Sequence, residues 1–223
     1  MDRKIKREYL LHHFVSMIGG FLGGYAIFNF CDVFGNAQTA NLIKLVLKLF
    51  DGDFTAVAFL AIGFVTYVAG NVVYTVMKKY CKFDLKAFSL ILLSLAVVVI
   101  GFFPNDINGY LAVLPMLFVT PIQWNSYLKA GEYQSATIFS TNNLRVATVS
   151  LTSYIIDRDK TELARSRFYW ATLLCYYLGV ALACVSGILF GMSGIWFCFV
   201  PISASTITYL IYKKQLMPIS KTR

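Results

Sequence analysis

Residues 28–45 read FNFCDVFGNAQTANLIKL, and after a long apolar run they bring Asn29, Asp32, Asn36, Gln38, Thr39 and Asn41 into one short stretch. A helix crossing lipid must satisfy its polar groups internally, so this crowding marks the place where a first spanning helix breaks. From Asn41 to Phe50 the pattern is amphipathic, with Asn41, Lys44 and Lys48 on one face and Leu42, Leu45, Val46 and Leu49 on the other. The stretch therefore predicts a span, a polar break and a short helix that lies at the interface or dips partway into the membrane.

The rest of the chain supports a membrane setting. Its 223 residues are 58 % hydrophobic and only 14 % charged, with a mean hydropathy of +0.65, outside the range of a soluble domain with a polar surface. Runs near the length of about 20 residues needed to cross the hydrocarbon fall at 14–34, 54–77, 86–103, 109–128, 168–190 and 194–212. The basic start and apolar run at the N-terminus are too long for a signal-peptide core and lack an A-x-A cleavage pattern, so the segment reads as a retained first span. The turns FFPNDING after span 3 and GMSG at 191–194 join antiparallel neighbours as helical hairpins.

Charge sets the expected orientation. Eighteen of the 20 Lys and Arg residues fall on one side of this six-span scheme, and only Lys44 and Lys48 fall on the other. The positive-inside bias then puts both termini in the cytoplasm, in the plasma membrane, and the net charge of +9 records topology and not a nucleic-acid surface. Aromatic residues stand at the expected interfaces, such as Trp124 and Tyr127 at the end of span 4 and Tyr209 and Tyr212 at the end of span 6. Small residues recur at four-residue steps, as Gly19/Gly23, Gly20/Gly24 and Gly179, Ala183, Gly187, Gly191, which predicts close helix packing.

The opening stretch has an echo. QTANLIKL at 38–45 lies on STNNLRVA at 140–147, pairing Thr39 with Thr141, Asn41 with Asn143 and Leu42 with Leu144 at an offset of 102 residues. A second match pairs Tyr67 and Gly70 with Tyr176 and Gly179. Three spans per copy is an odd number, so two such copies enter the membrane in opposite directions. The expected fold is an all-α membrane protein of six spans, built as two inverted three-helix repeats, 1–103 and 104–223, each with a short broken or interfacial helix.

These residues resemble the YoaK-like family of uncharacterised bacterial membrane proteins. The resemblance rests on the Asp-containing break before FGNAQTANLIKL and on TPIQWNSYL followed by ATIFSTNNLRVATVSL, and it runs over nearly the whole chain. It points to Asp32, Thr39, Asn41 and Leu42 in the first half and to Gln123, Asn125, Thr141, Asn143 and Leu144 in the second. This chain departs from the family pattern where a glycine is usual: Ala40 and Asn142 stand between Thr and Asn, and Pro121-Ile122 precedes the glutamine. The resemblance implies six spans and a plasma-membrane location and implies no substrate.

For function, the candidate substrate-binding residues are Asp32, Thr39, Asn41, Gln123, Asn125, Thr141 and Asn143, placed between the two repeats. Asp32 is the one carboxylate expected inside a span, where acids face a partner, the bundle interior or a cavity. Pro121 frees a backbone carbonyl beside Gln123 and Asn125. Asn29 and Asn71 read as interhelical hydrogen-bonding amides. Arg145 is a candidate contact for an anion or a lipid headgroup. His12 and His13 stand at the start of span 1, where water and headgroups solvate them, and no acid or third ligand accompanies them for a metal. Of five cysteines none forms a CxxC pair, and no cofactor or disulfide frame is expected.

The reading is a small permease for a polar solute in the lipid bilayer, with a homodimer as one way to complete a pathway. A membrane-embedded enzyme fits less well, because paired carboxylates, a metal cluster and a base beside a serine are missing from the pattern. A non-catalytic scaffold or sensor is the remaining alternative.

Overall fold

The computed structural model describes residues 3–30 and 33–216. Asp32 lies outside the described residues. Helix α1 (Arg3–Asn29) is followed by α2 (Gln38–Phe50), α3 (Phe54–Tyr80), α4 (Leu85–Gly101), α5 (Gly109–Ala112) and α6 (Leu114–Ser126). A small antiparallel hairpin, β1 (Lys129–Ala130) and β2 (Tyr133–Gln134), leads to α7 (Thr141–Asp157) and α8 (Lys160–Phe190). A 3-10 segment, Gly191–Cys198, then joins α8 to α9 (Phe199–Leu216).

Three stretches are long and apolar enough to cross a membrane: α1, α3 and the run Lys160–Gln215 that takes in α8, the 3-10 segment and most of α9. Helix α4 is apolar but shorter. The expected span 14–34 ends early, since α1 stops at Asn29 and the polar break begins there. The expected span 109–128 is two helices, because Pro115 opens α6 and has no N–H to continue a ladder from α5. The expected start of the last span at 194 is still in the 3-10 segment.

Polar turn residues cap the helices that follow them. Asp53 accepts from the Ala56 N–H (3.0 Å), Asp84 from Lys86 (3.1 Å) and Ala87 (3.3 Å), Asn108 from Tyr110 (2.9 Å) and Asp159 from Thr161 (2.8 Å). Each satisfies amides that a helix start leaves open, worth about 1 kcal/mol per cap.

Contacts between elements define two ends of the molecule. At one end the first turns of α1 and α4 meet the last turns of α6 and α9: Lys86 pairs with Glu8 at 3.4 Å, Lys213 with Asp84 at 3.3 Å, and the Tyr127 hydroxyl donates to the Lys86 carbonyl at 2.9 Å. At the other end Tyr25 near the end of α1 donates to the Met192 carbonyl (2.6 Å), Phe102 after α4 meets Trp196 edge-on, and Phe59 of α3 stacks on Tyr110 of α5. Among the described residues α1, α3, α4, the α5–α6 pair, α8 and α9 therefore alternate in direction along the chain, with α2 and α7 as additional helices between them.

Helix α1 runs through the centre, with Leu11, Val15, Ile18, Phe21, Leu22 and Tyr25 all buried. The outer helices present large apolar side chains instead, as Val65, Val72, Leu174 and Ile188 do, each more than half exposed. An apolar exterior around a polar-loop-capped bundle is the surface of a membrane protein, since in water such area would drive association.

The pairings are α1 on α8 and α9, α6 on α3 and α4, α2 on α3, α7 on α8, and α4 on α9. Exchanging α1 with α6, α2 with α7, α3 with α8 and α4 with α9 reproduces this set. The helices approach through their small residues. A Cβ at Gly20 would collide with the Tyr176 carbonyl, one at Gly179 with the Met17 carbonyl, and one at Gly70 with the Phe118 carbonyl.

One expectation is corrected here. His12 is buried and His13 half-buried, not solvated at a helix start. The first turns of α8 and the hairpin fold over this end of α1, placing the Phe168 ring 5.4 Å from His12 and 5.2 Å from His13, with Tyr9 and Tyr133 against the same ring.

Candidate functional site

The two breaks between helices, before α2 and before α7, are each held by one asparagine. Asn41, in the first turn of α2, accepts from the Phe34 N–H (3.1 Å) and donates to the Phe34 carbonyl (2.8 Å). Asn143, in the first turn of α7, accepts from the Ala136 N–H (3.3 Å) and donates to the Ala136 carbonyl (2.7 Å), and it also accepts from the Ser135 hydroxyl (3.0 Å). In both cases the amide reaches back seven residues and imitates a strand partner for the N–H and C=O of one residue, buried at Ala136 and part-buried at Phe34.

These two brackets aim the loops at each other. The Asn36 amide donates to the Ile138 carbonyl (2.7 Å), which lies 102 residues along the chain, and also to the Gly19 carbonyl (3.0 Å) and the Tyr176 hydroxyl (3.2 Å). Gln123 of α6 donates to the Val15 carbonyl of α1 (3.0 Å) and to Thr137 (3.4 Å), while Thr120 donates to the Gly35 carbonyl (3.4 Å). Asn36, Thr120, Gln123 and Thr137 are all buried, a polar knot inside an otherwise apolar bundle. The Gln123 carbonyl oxygen, Oε1, has no hydrogen-bond partner among the described residues. A buried acceptor left open costs about 1–3 kcal/mol, and such an atom is a natural contact for a ligand donor or a water.

Beside the knot lies a cleft of about 800 Å³, at the end of the molecule that carries the first turns of α1. Ser135, Ala136 and Phe139 of the second loop form its floor, and Trp124, Arg145 and Arg165 contribute from α6, α7 and α8. Thus Ser135 and Ala136 belong both to the second bracket and to the lining of the cleft.

The expected site residues divide. Gln123 is in the knot. Asn41 and Asn143 are buried but spend their amides on their own loops. Thr39 and Thr141 are exposed, as are Leu42 and Leu144. Asn125 bridges α6 to α3 by donating to the Asn71 side chain (2.9 Å), which makes Asn71 the interhelical amide expected of it, whereas Asn29 bonds within its own helix to Tyr25. Arg145 lines the cleft and bonds Asn142 (3.0 Å). Asn36, Thr120, Thr137 and Arg165 were not singled out by pattern. Asn36 was within reach of it, being polar, inside the break, and opposite Ile138 at the same 102-residue offset.

Outside the helices, burial would raise the Asp84 carboxyl, but the Tyr209 hydroxyl, the Ala87 amide and the Lys213 ammonium together hold it below the usual carboxylate range. This carboxylate ties the start of α4 to the end of α9.

No curated protein and no solved structure matches the chain. Residues 11–208, which include both brackets, the knot and the cleft, match the family model described as Protein of unknown function (DUF1275), and the chain belongs to that family.

Proposed function

We propose that this protein is a six-span permease of the plasma membrane, built from two inverted repeats, which moves a polar small solute between them, with both termini cytoplasmic. The observation that carries the proposal is the pair of broken segments held by identical asparagine brackets and meeting at Asn36 and Ile138 in a buried polar knot. Irregular backbone at membrane depth is tolerated where it lines a site, and paired breaks at equivalent positions of two halves are the arrangement that transporters use. The exchange of α1–α4 with α6–α9 in the packing pattern supports the repeat, and the alternating columns support the six spans.

In this reading Asn41 and Asn143 brace the broken helices, and Gln123, Thr137, Thr120 and Asn36 are the groups the solute meets. The open Oε1 of Gln123 takes a donor from the solute. Access alternates as the loops part on one side and then the other, which needs only the few hydrogen bonds of the knot to exchange.

Flux into proteoliposomes across a panel of metabolites tests this, with Asp32→Asn and Gln123→Leu as controls. A gradient dissipated by the native protein and preserved by Gln123→Leu is the expected result. Native vesicles as tight as empty ones across the panel would sink the transport reading.

A further inference from the structure

We propose that the cleft beside the knot binds an organic oxyanion with an aromatic-sized apolar body, with Arg145 taking the anionic head. Four observations point there. At about 800 Å³ the cleft is within the range of small-molecule sites, and it has room for a ligand of that size. The two guanidiniums in its wall are not equivalent. Two carboxylates, Glu132 and Glu162, share the lining with them: Arg165 faces Glu162 at 3.6 Å, whereas Arg145 has its hydrogen bond to the neutral Asn142 and no carboxylate within ion-pair distance among the described residues. A guanidinium carries five donors in a fork that matches a carboxylate or phosphate, so Arg145 keeps most of its capacity for an anion.

The third observation is the helix behind it. Arg145 stands in the first turns of α7, whose N-cap Ser140 makes no capping bond and is instead engaged with the Tyr177 hydroxyl (3.1 Å). The start of α7 thus lacks a side-chain cap, and two side chains of its first turns, Asn142 and Arg145, line the cleft. Fourth, part of the lining is aromatic. Trp124 and Phe139 pack edge-on at 4.7 Å, and the indole N–H of Trp124 is a further donor without a partner among the described residues. An apolar body against these rings and an oxyanion at Arg145 use both kinds of surface at once.

The same chemistry comes from two sources: a soluble aromatic carboxylate, or the headgroup of an anionic phospholipid whose chains lie along the bundle. That the cleft serves as the entrance to a permeation path rests on the transport reading; the binding does not.

The test is equilibrium binding to the full chain in phosphatidylcholine nanodiscs, with phenylacetate as probe and phenylacetamide as its neutral isostere, read by calorimetry. The expected result is saturable binding of phenylacetate and not of the amide, weakened about ten-fold or more in Arg145→Gln and partly restored in Arg145→Lys. Arg145 is exposed, so these variants fold, and their unchanged melting temperature checks it. If the lipid is the source, phosphatidylglycerol co-purifies with the native protein and less with Arg145→Gln, and it blocks phenylacetate when added to the discs. Equal binding of acid and amide, or no Arg145-dependent binding of either phenylacetate or phosphatidylglycerol, would overturn the proposal. Binding without solute flux would sink only the transport reading, and flux without Arg145-dependent binding only this one.

Discussion

At the scale of single residues, the molecule depends on two side-chain amides that complete backbone hydrogen bonds. Replacing Asn143 or Asn41 by Ala leaves the backbone N–H and C=O of one residue, the buried Ala136 or the part-buried Phe34, without these partners. Each replacement is expected to cost about 2–4 kcal/mol, from roughly 1–3 kcal/mol per orphaned group with partial relief by water. Melting curves in one detergent measure this, and variants as stable as the native chain would mean the brackets are incidental. The acid end of the pH scale is governed in part by Asp84. Its folded pKa is lowered, so the stability it contributes is present above the ordinary value of 3.8 and is lost as the pH falls from there through the lower folded value. Asp84→Asn is expected to be less stable at neutral pH and to show a shallower acid decline; an unchanged decline would contradict the sign. Sequence showed the asparagines as a repeated pair but not what they bond. Whether an amide faces a ligand or its own loop depends on where the backbone turns seven residues earlier, and no spacing rule records that.

At the scale of elements, the small-residue steps became packing contacts except at Gly191, which has open space around it and ends α8 at positive φ. Gly20 and Gly179 bring α1 and α8 into backbone contact, and Gly70 does the same for α3 and α6. Leu at Gly179 or Gly70 must push carbonyl-bearing backbone aside, which costs at least the roughly 1–3 kcal/mol of an overpacked core. Both variants should lose folded yield in detergent, whereas Leu at Gly52, a turn glycine with open space around it, should lose far less despite its positive φ. Equal yields for all three would argue against close helix approach. The helix at 41–50 was also legible, because its apolar face has a clear period; Leu42, Val46 and Leu49 of that face stand exposed while Asn41 is buried. The division of the 109–128 run was signalled by Pro115. The β hairpin was not legible, because two-residue strands carry no period, and the burial of His12 followed from that hairpin and the first turns of α8 folding over α1.

At the scale of the whole molecule, the interest lies in the crossed pairing. Helix α1 packs on α8 and helix α6 on α3, so early and late helices of the chain share one core. The polar knot sits where the halves cross, joined by Asn36 to Ile138 and by Gln123 to α1. On the transport reading proposed above, the hydrogen bonds of this buried polar junction are the ones that would exchange between two arrangements. The 102-residue echo of the sequence reappears in the structure as the matching Asn41 and Asn143 brackets and the Asn36–Ile138 contact. The cleft was not visible in the sequence, because Trp124, Arg145 and Arg165 come from three elements brought together only by the fold.

The central claim is that the two bracketed breaks belong to halves of opposite orientation. Cysteine accessibility in intact cells measures it, with the five native cysteines replaced and single cysteines placed at Asp106, before α5, and at Lys160, at the start of α8. Asp106→Cys should react with an impermeant maleimide from outside, and Lys160→Cys only after permeabilisation. Labelling of both positions from the same side, or the reverse pattern, would contradict the account.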